Sequence, residues 1–167
     1  MAIQNPQDLF VWMLSDVRRR EERGKIVAEE LSKNAEDPDI KETLDTWAFL
    51  KDKTVSTLDQ CFSLINKQPV QTTGRLHDVF IEDYRRELNE IQNPKAKALY
   101  IASKFSQMMH LQIGEYVGLT AMADLTGNYG VGALVETCLA DYTAYSERIH
   151  RRIRHLVEAA GTMRKAA

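Results

Sequence analysis

Apolar residues recur at spacings of three and four through four long stretches of the chain, and a shorter fifth stretch shares the rhythm. The first stretch carries Phe10, Leu14, Val17, Glu21, Gly24, Ala28 and Leu31. The second carries Ile40, Leu44, Trp47, Leu50, Thr54, Leu58, Cys61 and Ile65. The third long stretch runs through Ala98, Ile101, Phe105, Met108, Gln112, Tyr116, Leu119 and Met122. The last runs through Val131, Leu134, Cys138, Asp141 or Tyr142, Tyr145, Ile149 and Leu156. The shorter one presents Leu76, Val79, Phe80, Leu88 and Ile91. The pattern predicts an all-α protein: a four-helix bundle of two long hairpins with an extra short helix in the connection.

Punctuation residues fix the ends. "QNPQD", "EDPDI" and "QNPKA" each place Asn or Asp before proline. Asn5, Asp37 and Asn93 can accept a backbone N–H as N-caps, while Pro6, Pro38 and Pro94 take the first helical position, where a missing donor costs nothing. The predicted helices run over 6–33, 38–67, from Thr72 or Thr73 to 91, 94–126 and 131–160. Gly127 and Gly161 supply left-handed stops. Gly114 and Gly118 suggest a close helix crossing. No repeat or flexible linker divides the chain, so 1–167 reads as one domain.

Composition narrows the class. With 44% apolar residues in 167 the chain can bury a core. A formal net charge of -2 gives no case for nucleic acid or an anionic membrane. No apolar run approaches the ~20 residues of a bilayer span and no leader opens the chain, which suggests a cytoplasmic protein. Cys61 and Cys138 lie in apolar patterns and read as free thiols. The basic clusters "RRREER" and "HRRIRH" read as solvated faces, and His77 and His155 have no partner pattern. Neither a Ser/His/Asp order nor a phosphate-binding loop is present, so no catalytic residue is assigned.

Each long helix carries an inward polar residue near its middle: Glu21, Thr54, Gln112, and Asp141 or Tyr142. Four helices can bring these into one layer, where a bundle would hold a metal. Two divalent ions in a dry interior need about four to six carboxylates and imidazoles. Here Glu21 is one and Asp141 a second. His110 stands about 200° around the helix from Gln112, so the two cannot face one centre. Glu21 therefore needs replacement partners, and Gln112, Thr54 and Tyr142 are the donors at hand. On this reading Glu21→Gln leaves the protein folded and slightly more stable, because it removes a buried charge.

From "DLFVWMLSDVRRREE" to "ADYTAYSERI" the chain resembles the ferritin-like YciE/YciF group of bacterial stress-associated proteins, most specifically in its opening Leu-Phe pair, Leu14, Asp16 and Glu21. The resemblance implies a ferritin-like bundle, paired as a dimer, with metal-ligand-like carboxylates on all four long helices. Glu21 matches the first of these. Where the family has Glu and Gln on the second helix this chain has Leu50 and Thr54. Where it has two Glu on the fourth this chain has Met109 and Gln112, and the acidic pair of the last becomes Asp141 and Tyr142. The expectation is a non-enzymatic stress-associated protein with a degenerate site and no cofactor. The alternative is a metalloprotein binding iron or another divalent metal through Glu21, Asp141 and His110. A homodimer is expected, since Trp12, Phe49, Leu119 and Tyr129 exceed what four helices cover.

Overall fold

The computed structural model describes residues 3–35, 37–73 and 75–165, with side chains for all of these except Glu30, Asn34, Leu76, His77 and 159–165. Five helices follow in order: α1 (Pro6–Asn34), α2 (Pro38–Leu64), α3 (Arg75–Glu90), α4 (Pro94–Leu125) and α5 (Tyr129–Lys165). Among the described residues there is no strand, and no helix is long and apolar enough to cross a membrane. Two antiparallel hairpins, α1–α2 and α4–α5, pack with α2 on α5 and α1 on α4, and α3 lies against α4 in the connection between them.

The three proline-marked starts form as their sequences dictate. Asn5 accepts from the Asp8 amide, Asp37 from Asp39 and Ile40, and Asn93 from Lys95 and Ala96. α4 ends in a Schellman motif on Gly127 (φ 70°): the Gly127 amide donates to the Asp124 carbonyl and the Asn128 amide to that of Ala123. α2 ends in the same motif on Asn66 (φ 51°), three residues short of the predicted Lys67. An asparagine tolerates that conformation better than most residues and so closes the helix before Pro69 acts.

Three expectations need correction. α3 begins at Arg75, and the Thr72 hydroxyl is buried without a partner, so Thr72 is not its cap. Its buried stripe is Ile81, Tyr84 and Leu88, while Val79 faces solvent and Leu76 lies outside the described side chains. α5 continues past Gly161 to Lys165, since a glycine lowers helix propensity but does not by itself stop a helix. Gly114 marks no close crossing: a Cβ there meets nothing within 4 Å, and one at Gly118 makes only ordinary contact with Met13.

The core takes residues from all four long helices, from Phe10 to Leu31, Ile40 to Phe62, Ala98 to Ala123 and Val131 to Ile149, and within it Trp47 lies edge-on to Phe105 with ring centres 4.5 Å apart. Leu119 is fully buried within it, so it is not among the residues left uncovered; Phe49 and Tyr129 are exposed and Trp12 is half-buried. Cys61 and Cys138 are buried free thiols, and burial pushes both pKa values up, to about 12 and about 11.

Candidate functional site

Midway along the bundle each long helix contributes one polar side chain to a single cluster. α1 supplies Glu21, which is 1% exposed. α2 supplies Lys51, fully buried, whose Nζ donates to Glu21 Oε2 at 2.6 Å. α5 supplies Tyr142, donating to the same oxygen at 2.6 Å, and α4 supplies Tyr116, donating to Oε1 at 3.0 Å. The two phenol rings stack with centres 5.3 Å apart.

Lysine reaches this depth because its surroundings are shaped for a cation. Its ammonium lies 4.9 Å from the Trp47 ring centre and 5.0 Å from that of Tyr142, both distances at which a ring face attracts positive charge. Gly24 on α1 leaves the passage: a Cβ there would stand 2.9 Å from Lys51 Cε. Burial lowers the Lys51 pKa, and the Glu21 carboxylate opposes that shift. Burial, with the Glu21 charge adding to it, holds Tyr116 and Tyr142 well above the ordinary phenol value, so both stay neutral donors.

Beside the cluster lies a second one. Arg20 bonds Asp16 one turn earlier on α1 and Glu115 on α4, tying the two hairpins together. Burial raises the Glu115 pKa to about 7; Arg20 opposes the shift, while Glu21 and Asp16 add to it. The two clusters together hold three acidic side chains, Asp16, Glu21 and Glu115, against two basic ones, Arg20 and Lys51.

The residues singled out in sequence scatter. Glu21 and Tyr142 meet. Gln112 faces inward at 1% exposed, but neither amide atom has a hydrogen-bond partner; Tyr116, one turn further on the same stripe, reaches Glu21 instead. Thr54 is buried and donates to the Leu50 carbonyl of its own helix, which leaves it no proton for Glu21; it joins the layer instead through its hydroxyl's hydrogen bond with the Tyr142 phenol. Asp141 does not join the layer. Successive helix positions diverge by about 100°, so burying Tyr142 turns Asp141 toward the surface, where it pairs with Lys53. His110 is exposed and lies against His150, so it is not a member of the buried cluster.

Lys51 and Glu115 escaped sequence reasoning. The signal for Lys51 was present: Trp47, Lys51, Thr54 and Leu58 repeat at four, three and four, a better seam than the one through half-buried Leu50. A search for apolar residues passes over a lysine at such a position. Glu115 stands three residues from inward Gln112, the spacing that puts two side chains on one face.

This donor set does not fit a di-metal centre. Both Glu21 oxygens are engaged by hydrogen-bond donors, one of them a cation, and an ammonium 2.6 Å from the carboxylate repels a second positive charge there. Among the described residues no group of three or more His, Cys, Asp or Glu is disposed to hold a metal ion.

Similarity to known proteins agrees with the architecture. The Escherichia coli stress protein YciF matches with a TM-score of 0.88 at 15% identity, over 93% of this chain and 99% of that one. YcfI from Rhodopseudomonas palustris matches with a TM-score of 0.85 at 21% identity, over 89% and 94%. A protein from Xanthomonas campestris matches with a TM-score of 0.71 at 16% identity, over 98% and 100%. At these identities the likeness establishes the fold, a ferritin-like helical bundle. No curated protein matches the sequence at a significant level. The family model "Domain of unknown function (DUF892)" covers residues 5–161, and the chain therefore belongs to that family, the YciE/YciF-like group.

Proposed function

We propose that this chain is a non-enzymatic, ferritin-like stress-associated protein in which a lysine ammonium takes the place of metal charge at the bundle centre. One observation carries the reading: the Lys51 Nζ on Glu21 Oε2, fully buried between Trp47 and Tyr142. A carboxylate that already holds an internal cation and two phenols is a poor ligand for iron, because the ammonium balances its charge and repels a second cation, and removing the ammonium would leave a buried charge uncompensated. The stress-associated role is taken from YciF, which is described as a stress protein. The protein acts as a single 1–167 unit in the cytoplasm and pairs with a second copy. Exposed Phe49, Leu64, Leu125 and Tyr129 support the pairing, since large apolar side chains left in water favour association.

Elemental analysis of untagged protein purified without chelator tests the central claim. Iron well below one equivalent, unchanged in Glu21→Ala, is the expected result. Near-stoichiometric iron that disappears in Glu21→Ala defeats it. Sedimentation at micromolar concentration tests the dimer, and a monomer alone would remove it.

A further inference from the structure

His110 on α4 and His150 on α5 face each other across the second hairpin with ring centres 5.1 Å apart and planes tilted by 57°. His150 is half-buried and its Nε2 is 2.9 Å from the Ser106 hydroxyl, one turn before His110 on α4. His110 is exposed, so the pair is open to solvent on one side.

From this juxtaposition we infer that His110 and His150 form a surface site for a borderline divalent cation such as zinc, nickel or copper. The spacing suits it. An imidazole nitrogen about 2.0 Å from zinc puts its ring centre about 3.2 Å from the metal, so two rings meeting at a tetrahedral angle stand about 5 Å apart. Imidazole nitrogen prefers these ions over magnesium or calcium. Metal binding through His150 Nδ1 requires the tautomer protonated at Nε2, and the Ser106 hydroxyl 2.9 Å from Nε2 is placed to accept from that N–H. A hydrogen bond on the second ring nitrogen is the usual companion of a metal-bound histidine. His110 supplies the second nitrogen from the solvent side, and water completes the coordination. Glu147 and Arg154 stand one turn before and after His150, and their charges offset each other near the ion.

This pair engages neither Glu21 nor Lys51, so the site stands or falls independently of the reading of the bundle centre. Isothermal titration of untagged, chelator-stripped protein with zinc chloride tests it, with circular dichroism confirming the fold of each variant. The expected result is one equivalent bound, with affinity at least about tenfold weaker in both His110→Ala and His150→Ala. Ser106→Ala, which removes only the positioning contact, weakens it by about tenfold. His155→Ala and Glu21→Gln bind as the parent does. Absence of zinc binding overturns the inference, as does binding unchanged in either His110→Ala or His150→Ala. Zinc binding abolished by Glu21→Gln and kept by the histidine variants overturns this inference and the non-metal reading of the centre together.

Discussion

Lys51 changes the meaning of Glu21. Without a cation the carboxylate is a buried charge whose neutralisation is mildly stabilising, and that is what the sequence suggested for Glu21→Gln. With the ammonium at 2.6 Å the sign reverses, because the substitution leaves Lys51 buried and unpaired. Losing one partner of a buried pair costs about 3–5 kcal/mol, whereas replacing both with neutral groups of similar shape is close to neutral. Glu21→Gln and Lys51→Met should each lower stability in denaturant unfolding by about 3 kcal/mol. The double variant should recover most of the loss, so the two effects are far from additive. A Glu21→Gln protein as stable as the parent would show that the pair does not exist in solution. Glu115 gives the pH counterpart. Its pKa is raised to about 7 from an ordinary 4.5 by burial, with Arg20 opposing. The folded state then holds a proton that the unfolded chain has lost, so the contribution of Glu115 to stability is greatest below about pH 4.5 and is lost as pH rises through about 7. The loss attributable to this residue between pH 5.5 and 8 is about 2 kcal/mol. Unfolding curves across that range should show the slope in the parent and its disappearance in Glu115→Gln.

At the scale of elements, the sequence was most legible where local chemistry alone decides. An asparagine or aspartate before proline caps a helix whatever surrounds it, and Asn5, Asp37 and Asn93 all do so. The end of α4 was equally plain from Gly127. Asn66 was less plain, because asparagine is a weaker sign of left-handed backbone than glycine. The central cluster was only half legible. Glu21 and Tyr142 follow from seam spacing, but the identity of the third and fourth members depends on how far a side chain reaches. Lysine and tyrosine reach the Glu21 oxygens themselves, whereas Thr54 reaches only the Tyr142 phenol and Gln112 makes no bond there. Gly114 shows the opposite limit, a residue whose pattern suggested packing although nothing lies against it. Its helix is exposed there and its backbone is ordinary, so Gly114→Ala adds helix propensity without a clash. Thermal unfolding should show a stabilisation of up to about 1 kcal/mol. A destabilised Gly114→Ala would mean that another surface, such as a second copy, approaches this turn.

Across the whole molecule, the Glu21 cluster has one member on each long helix, while α3 stands outside it. Lys51 and Glu21 close the first hairpin on itself; Tyr116 and Tyr142 fasten the second hairpin to the first. Among its described side chains α3 buries only Ile81, Tyr84 and Leu88 well, with Phe80 half-buried against the core, and polar ties such as Arg23 to Asp78 and Glu87 to Lys104 add to these. Few buried apolar contacts give a low free energy of local opening. Native-state hydrogen exchange should therefore separate the molecule into two units, with the amides of α3 exchanging by a local opening and those in the middle of α1, α2, α4 and α5 only by global unfolding. Hydrogen bonds to a charged group contribute about 1.5–3 kcal/mol each. Tyr116→Phe together with Tyr142→Phe should then lower the global exchange free energy by about 3 kcal/mol or more. The local opening of α3 should stay where it was, because α3 does not touch the cluster. Equal exchange free energies for α3 and the long helices in the parent protein would place α3 in the same cooperative unit and defeat the division.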